Sequence, residues 1–425
     1  YYSGEQYQEE KSKGSEVQEA AVNSAEYAMI AEEETEEWET GETWETGETW
    51  ETGETWETEE GWETENPSGI TLSGDTIKND FLSLVVMSGG NFTLGTQKGN
   101  LNSTTDDNKM LLFRWPYSAT SNWRISVDGK NASLASWTNA TLENGIYSES
   151  SKTYNGVSYQ RNFRFVQSKT TGNYDVAQIS LTVTNTSESE KSVGSRISMD
   201  TDVADNDAAP FYTALQGKFN TTKILTEDKI PQYWQVMNNL ANPTVLAQGT
   251  FYRQLSERPD KVIFGSYGSL IGAWNPSVTE GSSNGDSAVF IRWDEKTLQP
   301  GESRTYSTWL GVGEMTQSGN DNIAISVNAD TVGTVNTEHN AYNPIEVAVY
   351  MQNKGKETLT DLQAEIELPK GLSVAEGEDK VSKITEITSG DVKTAVWHVT
   401  GEPAESGAEF SYTILLKNNR GEVLS

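Results

Sequence analysis

A short run of oxygen-bearing side chains, between residues 200 and 207, is the part of this chain whose residue types best suit a metal ion. Six of these eight residues carry a carboxylate, amide or hydroxyl oxygen. Calcium takes six to eight hard oxygen ligands, and such a loop supplies several of them if its backbone curls around the ion. The candidate calcium ligands are Asp200, Asp202, Asp205, Asn206 and Asp207. The sequence points to no other cofactor.

The same run has a second interpretation as an ordinary turn. It lacks the spacing of an EF-hand, which needs a glycine at the sixth loop position and a distal glutamate. Asp and Asn side chains also cap backbone amides in Asx turns, which require no ion. From the sequence alone, both interpretations stay open.

Catalytic chemistry has few residues to draw on. The chain has no Cys and two His, His339 and His398, which excludes a cysteine nucleophile and a multi-histidine zinc site and argues against a Ser/His/Asp triad. A glycosidase pair needs two carboxyl groups about 5–9 Å apart, one of them protonated, whereas acids in one exposed loop are expected to stay ionised. We therefore expect that the chain is not an enzyme.

The acidic run lies in a region dominated by short strands. From about residue 69 onward, strand-like segments are bounded by turn residues. Alternation is clear in residues 178–184, where Ile179, Leu181 and Val183 share one face. This pattern predicts a large antiparallel β-sandwich over residues 68–318. Residues 230–238 are the exception, and there we expect a loop or one short helix.

Residues 319–425 form a second predicted unit. About seven strands in roughly 100 residues are typical of an immunoglobulin-like sandwich, here without the Cys pair. The predicted fold class is therefore all-β, with a large antiparallel β-sandwich followed by a C-terminal immunoglobulin-like sandwich.

Two sets of motifs resemble modules of bacterial surface proteins. Asn-Pro-Ile at residues 343–345, Gln-Asn-Lys-Gly at 352–355 and Glu-Leu-Pro-Lys-Gly-Leu at 367–372 resemble Cys-free immunoglobulin-like repeats of the conserved-repeat or CARDB-like kind. The middle region is similar to a β-rich module of surface proteins from clostridia-like Gram-positive bacteria, through residues 182–186, 193–194, 199–201, 205–211, 242–244, 285–289 and 298–303. The resemblance implies a cell-surface or secreted protein and no particular activity.

Residues 1–67 are predicted to form an extended acidic arm with one short helix between residues 16 and 37. Trp-Glu-Thr-Gly-Glu-Thr repeats place an indole every six residues, at Trp38, Trp44, Trp50, Trp56 and Trp62. An even spacing puts all five on one side of an extended ribbon, and the arm has no core to bury them. We expect these five side chains to make assembly contacts with another surface. The alternative is a disordered acidic linker.

Charge limits the partners that we expect. The net charge is −32, and residues 1–65 carry 22 Glu against two Lys. Nucleic acid and anionic membranes both select basic surfaces, so we expect neither nucleic-acid binding nor membrane insertion. Because the chain begins at Tyr1 and not at Met, we expect a mature or proteolysed form whose leader was removed. No apolar run is long enough to span a bilayer, and the resemblance to surface proteins implies an extracellular location at the cell surface.

These features favour an extracellular structural protein that forms a surface fibre with other copies of itself, the arm of one subunit pairing with an open sheet edge of the next. One alternative is a carbohydrate-binding or adhesive module that binds cell-wall or host glycans through exposed aromatic side chains. The candidates are Trp115, Trp123, Trp137, Trp234, Trp274, Trp293 and Trp309, most of which we expect in the core. A glycan-cleaving enzyme using Asp200 and Asp202 is the third hypothesis.

Overall fold

The computed structural model describes residues 68–425, except residues 100, 102–103, 169–170, 241–242, 254–255, 313–317, 321, 330–332, 406–407 and 409. These described residues belong to one compact unit. The predicted acidic arm, its short helix and its five Trp residues lie outside the described residues.

Short strands make up almost all of the regular structure between residues 71 and 312. In chain order they are β1 Thr71–Ser73, β2 Thr76–Lys78, β3 Leu82–Val86, β4 Phe92–Thr96, β5 Asn122–Val127, β6 Lys130–Ser133, β7 Thr138–Glu143, β8 Ile146–Tyr154, β9 Val157–Val166, β10 Val176–Asn185, β11 Lys191–Asp200, β12 Phe211–Thr213, β13 Gly217–Phe219, β14 Lys223–Thr226, β15 Tyr233–Met237, β16 Leu246–Thr250, β17 Lys261–Ser266, β18 Ser287–Leu298 and β19 Ser303–Val312. Two short helices interrupt them, a 3-10 helix at Glu227–Lys229 and α1 at Tyr267–Leu270.

These strands form a sandwich of two large antiparallel sheets. One sheet has nine strands in the order β13-β12-β15-β16-β19-β10-β9-β8-β7, and the other has six in the order β14-β17-β18-β11-β5-β6. Alternation explains the layers: in β10, Ile179, Leu181 and Val183 are buried in the core, and the residues between them lie on the other face of the sheet. Strands β1 to β4 form a separate four-stranded sheet whose apolar side chains join the same core.

The C-terminal region contains ten strands. They are β20 Ser318–Asn320, β21 Ile323–Ala329, β22 Val335–Asn336, β23 Ala341–Tyr342, β24 Ile345–Asn353, β25 Leu359–Glu367, β26 Leu372–Val374, β27 Val381–Ile387, β28 Val392–Gly401 and β29 Thr413–Lys417. A five-stranded sheet, β20-β21-β24-β28-β26, packs on a three-stranded sheet, β27-β25-β29. Their shared core is separate from that of the larger sandwich and contains Trp397 and Met351. The all-β fold class predicted from the sequence is confirmed.

The two sandwiches share an apolar contact. The outer face of the nine-stranded sheet contributes Tyr212, Tyr233 and Met237, and the five-stranded sheet contributes Ala348 and Tyr350. The rings of Tyr212 and Tyr350 meet edge to face, with centroids 5.9 Å apart. Because both sheets bury side chains on their outer faces here, their strands are apolar on both sides.

That contact explains why residues 230–238 were not recognised as a strand. The structure has a strand there, β15, and all five of its residues are buried. Trp234 and Val236 belong to the core of the larger sandwich, whereas Tyr233 and Met237 contact the smaller one. A strand buried on both faces loses the alternation that identifies strands in a sequence.

Among the described residues, no helix combines the length and the apolar composition of a membrane-spanning segment.

Candidate functional site

Three carboxylates converge at one end of the six-stranded sheet. Strand β11 ends at Asp200, which pairs with Ala288 of β18, and Asp286 directly precedes β18. The backbone N–H of Ser287 donates to the carbonyl of Asp207 at 2.6 Å and thereby holds the loop that follows β11. One oxygen from each of Asp200, Asp207 and Asp286 lies within 4.8 Å of the other two. We call these three residues the acidic group.

The five predicted calcium ligands lie in different surroundings in the structure. Asp200 and Asp207 belong to the acidic group. Asp202 is 5% exposed, and its Oδ1 atom has no hydrogen-bond partner among the described residues. Asp205 has a φ of 67° in the turn that follows and is not in the group.

The side chain of Asn206 makes hydrogen bonds to two other residues. Its amide nitrogen donates to the carbonyl of Asn238 at 2.8 Å, and its amide oxygen accepts from the N–H of Ala208 at 3.1 Å. This is the capping role that the turn interpretation predicts. Sequence reasoning missed Asp286, because it reaches the group through the pairing of β11 with β18 and not through local spacing.

Burial and mutual repulsion dominate the electrostatics of this site. Burial, followed by the charges of Asp286 and Asp207, raises the pKa of Asp200 to about 7, although the hydroxyl of Thr120 acts in the opposite direction. Burial and then the charges of Asp207 and Asp205 raise the pKa of Asp202 to about 6. The expectation that these acids sit in one exposed loop was wrong, since Asp200 is 1% exposed.

The pKa values of the other two group members are raised as well. Burial raises the pKa of Asp207, and burial together with the charge of Asp207 raises that of Asp286. Like charges in a poorly solvated place favour either a shared proton or a bound cation. The acidic group can therefore hold a proton between two carboxylates or act as a set of oxygen ligands.

An aromatic segment, residues 113–121, is attached to the backbone of Asp200 at both ends. The N–H of Phe113 donates to the carbonyl of Asp200 at 2.9 Å, and the N–H of Asp200 donates to Oγ of Ser121 at 3.0 Å. Tyr117 is four residues from each of these anchors and is 90% exposed. A chain advances at most about 3.5 Å per residue, so the backbone of Tyr117 lies within about 14 Å of these anchors.

Local packing fixes the shape of the aromatic segment. The N–H groups of Tyr117 and Ser118 both donate to the carbonyl of Arg114, at 2.9 and 3.1 Å, which closes a tight turn. The ring of Trp115 lies flat on β4, where a Cβ atom at Gly95 would come within 2.3 Å of it. The guanidinium of Arg114 lies 5.2 Å from the ring centroid of Phe113. Tyr117 is thus presented to solvent on a supported turn.

The tryptophans considered from the sequence are mainly structural. Five of the seven are buried: Trp123, Trp137, Trp234, Trp293 and Trp309. Trp115 and Trp274 are half-buried. Sequence reasoning missed Tyr117 because it searched for tryptophan, and no local pattern distinguishes an exposed ring from a core ring in Phe-Arg-Trp-Pro-Tyr.

No family model matches this chain. No curated protein matches it either. Solved structures with a similar arrangement include a galactose mutarotase-like protein from Lactobacillus casei, with 8% identity, a TM-score of 0.36, and coverage of 58% of this chain and 100% of that one.

Two further solved structures are lyases. A mutant of the heparan sulfate lyase HepC from Pedobacter heparinus has 12% identity and a TM-score of 0.31, with coverage of 66% of this chain and 38% of that one. A polysaccharide lyase has 10% identity and a TM-score of 0.33, with coverage of 81% of this chain and 46% of that one. These distant likenesses concern the β-sandwich fold.

The matches also correct one expectation from the sequence. We expected that the chain is not an enzyme, but two of the similar structures are lyases, which are enzymes. The scarcity of Cys and His therefore did not justify that exclusion, because carboxylates with raised pKa values offer acid–base chemistry of their own.

Proposed function

We propose that the chain binds carbohydrate at the surface formed by the acidic group and the aromatic segment. The observation that carries this proposal is the attachment of the segment bearing the exposed Tyr117 to Asp200 at both ends. A sugar ring presents an apolar face to an aromatic side chain and hydroxyl groups to polar neighbours. The site offers partners for both.

Tyr117 supplies the apolar contact. Its side chain has an apolar ring and a polar tip, a combination enriched at binding surfaces. The tight turn from Arg114 and the packing of Trp115 hold the segment in place, so little conformational entropy is lost when a ligand binds.

Asp207 and Asp286 supply the polar contacts. Both are half-buried, so they remain reachable from solvent. An ionised carboxylate accepts hydrogen bonds and donates none, and sugar hydroxyls are donors. Oδ1 of Asp207 is itself buried and has no hydrogen-bond partner among the described residues, so the sugar contact is assigned to the exposed part of the side chain.

The choice of ligand follows from charge. Residues 66–425 are mildly acidic, and the acidic group adds local negative charge, so a neutral glycan is favoured over an anionic one.

The test measures binding of the full chain to immobilised neutral glycans, followed by titration with the best ligand. Tyr117→Ala should weaken binding about tenfold, since a stacked aromatic ring contributes about 0.5–1.5 kcal/mol beyond its buried area and a tenfold change corresponds to about 1.4 kcal/mol. Leu215→Ala is the matched control, because Leu215 is 64% exposed in the turn between β12 and β13 and should have no effect. The same incubations are analysed for new reducing ends or epimers, so turnover is measured directly.

Equal binding by wild type and Tyr117→Ala would refute the site. A wild-type chain that retains no glycan would refute the function.

The five regularly spaced Trp residues support a second proposed function, assembly into a surface fibre. Those residues lie outside the described part of the chain, and extracellular location and self-association remain proposals. Replacing the five indoles by Thr in the full chain should abolish filaments seen by electron microscopy while glycan binding persists. Filaments that survive this replacement would contradict the arm-docking hypothesis.

A further inference from the structure

We propose that Asp200, Asp207 and Asp286 bind one divalent cation, and that calcium is the ion that fits best. This site differs from the predicted loop site, because it omits Asp202, Asp205 and Asn206 and includes Asp286, which directly precedes β18. It shares Asp207 and Asp286 with the proposed sugar-binding surface, but the cation needs no sugar.

An acidic cluster alone is weak support, and a second observation strengthens it. Asp200 is 1% exposed, yet its Oδ1 atom has no hydrogen-bond partner among the described residues. Buried polar atoms in native proteins are nearly always satisfied, and an unsatisfied one often marks an absent ion or water. The carboxylate of Asp200 faces the carboxylates of Asp207 and Asp286. The atom without a partner therefore belongs to a side chain directed into the group.

The spacing of the oxygens fits a calcium ion. Calcium–oxygen distances are about 2.3–2.6 Å, so two ligands on opposite sides of the ion lie about 5 Å apart. The three oxygens of the acidic group lie within 4.8 Å of one another. One ion can therefore contact all three, with water completing its coordination shell.

The charges around Asp200 also favour a bound cation. The charged groups that act on Asp200 are two other carboxylates, Asp286 and Asp207. Asp202, also buried, adds another acid beside Asp207. Uncompensated buried charges are costly, whereas a bound cation offsets the repulsion and the loss of hydration together.

The site is fixed before any ion arrives. The N–H of Ser287 donates to the carbonyl of Asp207 at 2.6 Å, and the N–H of Tyr267 donates to the carbonyl of Asp286 at 2.8 Å. The N–H of Asp200 donates to Ser121. Because the backbone of each ligand is already held, little ordering is required on binding.

The ligand chemistry selects the class of ion. The chain has no Cys, and its two His residues, His339 and His398, lie in the smaller sandwich. Carboxylate ligands alone suit calcium, magnesium or manganese and not zinc or copper. Calcium tolerates irregular geometry and variable ligand number, whereas magnesium demands a near-ideal octahedron.

The experiment uses the full chain after treatment with EDTA, in 0.15 M NaCl to screen the acidic arm. Calcium chloride is titrated by calorimetry, and the melting temperature is recorded with and without calcium. The wild type should bind one calcium ion saturably, and at a hundredfold excess over Kd its melting temperature should rise by about 5 °C or more.

Variants identify the residues involved. Asp286→Asn and Asp207→Asn should each lower the affinity at least tenfold and abolish the thermal shift, with circular dichroism in EDTA confirming that both fold. Asp205→Asn is the matched control from the same loop and should bind like wild type. Tyr117→Ala should also bind calcium normally, which separates this site from the sugar-binding proposal.

Two results would overturn the proposal. One is the absence of a saturable site for calcium, magnesium or manganese in the wild type at millimolar concentration. The other is an equal loss of binding in Asp205→Asn and Asp286→Asn, which would show diffuse attraction to an acidic surface and not a defined site.

Discussion

Asp200 and Asp286 are separated by 85 residues along the chain, yet their carboxylates lie within 4.8 Å of each other. The antiparallel pairing of β11 with β18 places Asp200 opposite Ala288, two residues beyond Asp286. The two acids therefore meet at the sheet end, where burial and repulsion act on both. Such an arrangement reduces stability unless a ligand compensates it.

The first prediction concerns the stability that is lost through this repulsion. Asp200→Asn should raise the free energy of unfolding by about 1–3 kcal/mol in EDTA at pH 8, because it removes a buried charge next to like charges. Denaturant unfolding measures the change. Asp80→Asn is the control, since Asp80 is an exposed aspartate 3.6 Å from Lys98 and should change stability little. A destabilised Asp200→Asn variant would show that the carboxylate has a stabilising partner.

Sequence reasoning found two of the three residues of this site for a clear reason. Asp200 and Asp207 are close in the chain, and their residue types alone suggested oxygen ligation. Asp286 joins them only through the register of a long-range strand pair, which no local pattern encodes. The hydrogen bond between Asn206 and Asn238, a residue from another strand end, is likewise not encoded by a local pattern.

The fold was easier to predict than the site, and the strand that the sequence did not reveal has a physical explanation. Alternation in β10 was visible because one face is apolar and the other polar. In β15 the smaller sandwich covers the outer face, so apolar residues fill both faces and the period disappears. Contacts between sandwiches therefore remove the alternating pattern by which a strand is recognised in a sequence.

The second prediction tests that contact. Tyr350→Ala should loosen the smaller sandwich from the larger one, because Tyr350 packs edge to face on Tyr212 and lies outside the core of its own sandwich. The expected loss is about 3 kcal/mol. Calorimetry should show a separate transition for the smaller sandwich at lower temperature. Tyr350→Phe keeps the ring and should melt like wild type, and a single unshifted transition in Tyr350→Ala would contradict the coupling.

The third prediction concerns acid stability and Glu257. Burial alone would raise the pKa of Glu257, but hydrogen bonds and charges from Arg304 and Lys296 outweigh it and hold the pKa below its usual value. Nε of Arg304 lies 2.5 Å from Oε2 of Glu257. A lowered carboxyl pKa contributes stability above the unfolded value, and that contribution is lost as the pH falls through the folded value.

Glu257→Gln should therefore cost about 3 kcal/mol at pH 7, because Arg304 is left buried without its carboxylate. The difference from wild type should begin to shrink as the pH falls below about 4.5, where Glu257 of the unfolded chain takes up a proton, and should keep shrinking until the folded carboxylate, with its lower pKa, is protonated too. Urea unfolding between pH 3 and pH 7 measures this difference. A gap that stays constant across that range would mean that the ion pair does not provide the stability.

The last prediction links the packing of Trp115 to ligand binding. A Cβ atom at Gly95 would lie 2.3 Å from the Trp115 ring, closer than any real contact. Gly95→Ala should therefore displace Trp115 and the turn that carries Tyr117, weakening glycan binding while the chain stays folded. Gly89→Ala is the control, because a Cβ atom there meets nothing within 4 Å.

The size of the effect separates a positioned aromatic ring from a freely moving one. If the turn must be held in place for stacking, Gly95→Ala should approach the tenfold loss expected for Tyr117→Ala, and the double variant should lose little more, because both changes remove the same contact. Additive losses would instead place Trp115 and Tyr117 in separate roles. Titration of the four proteins with one glycan provides this comparison.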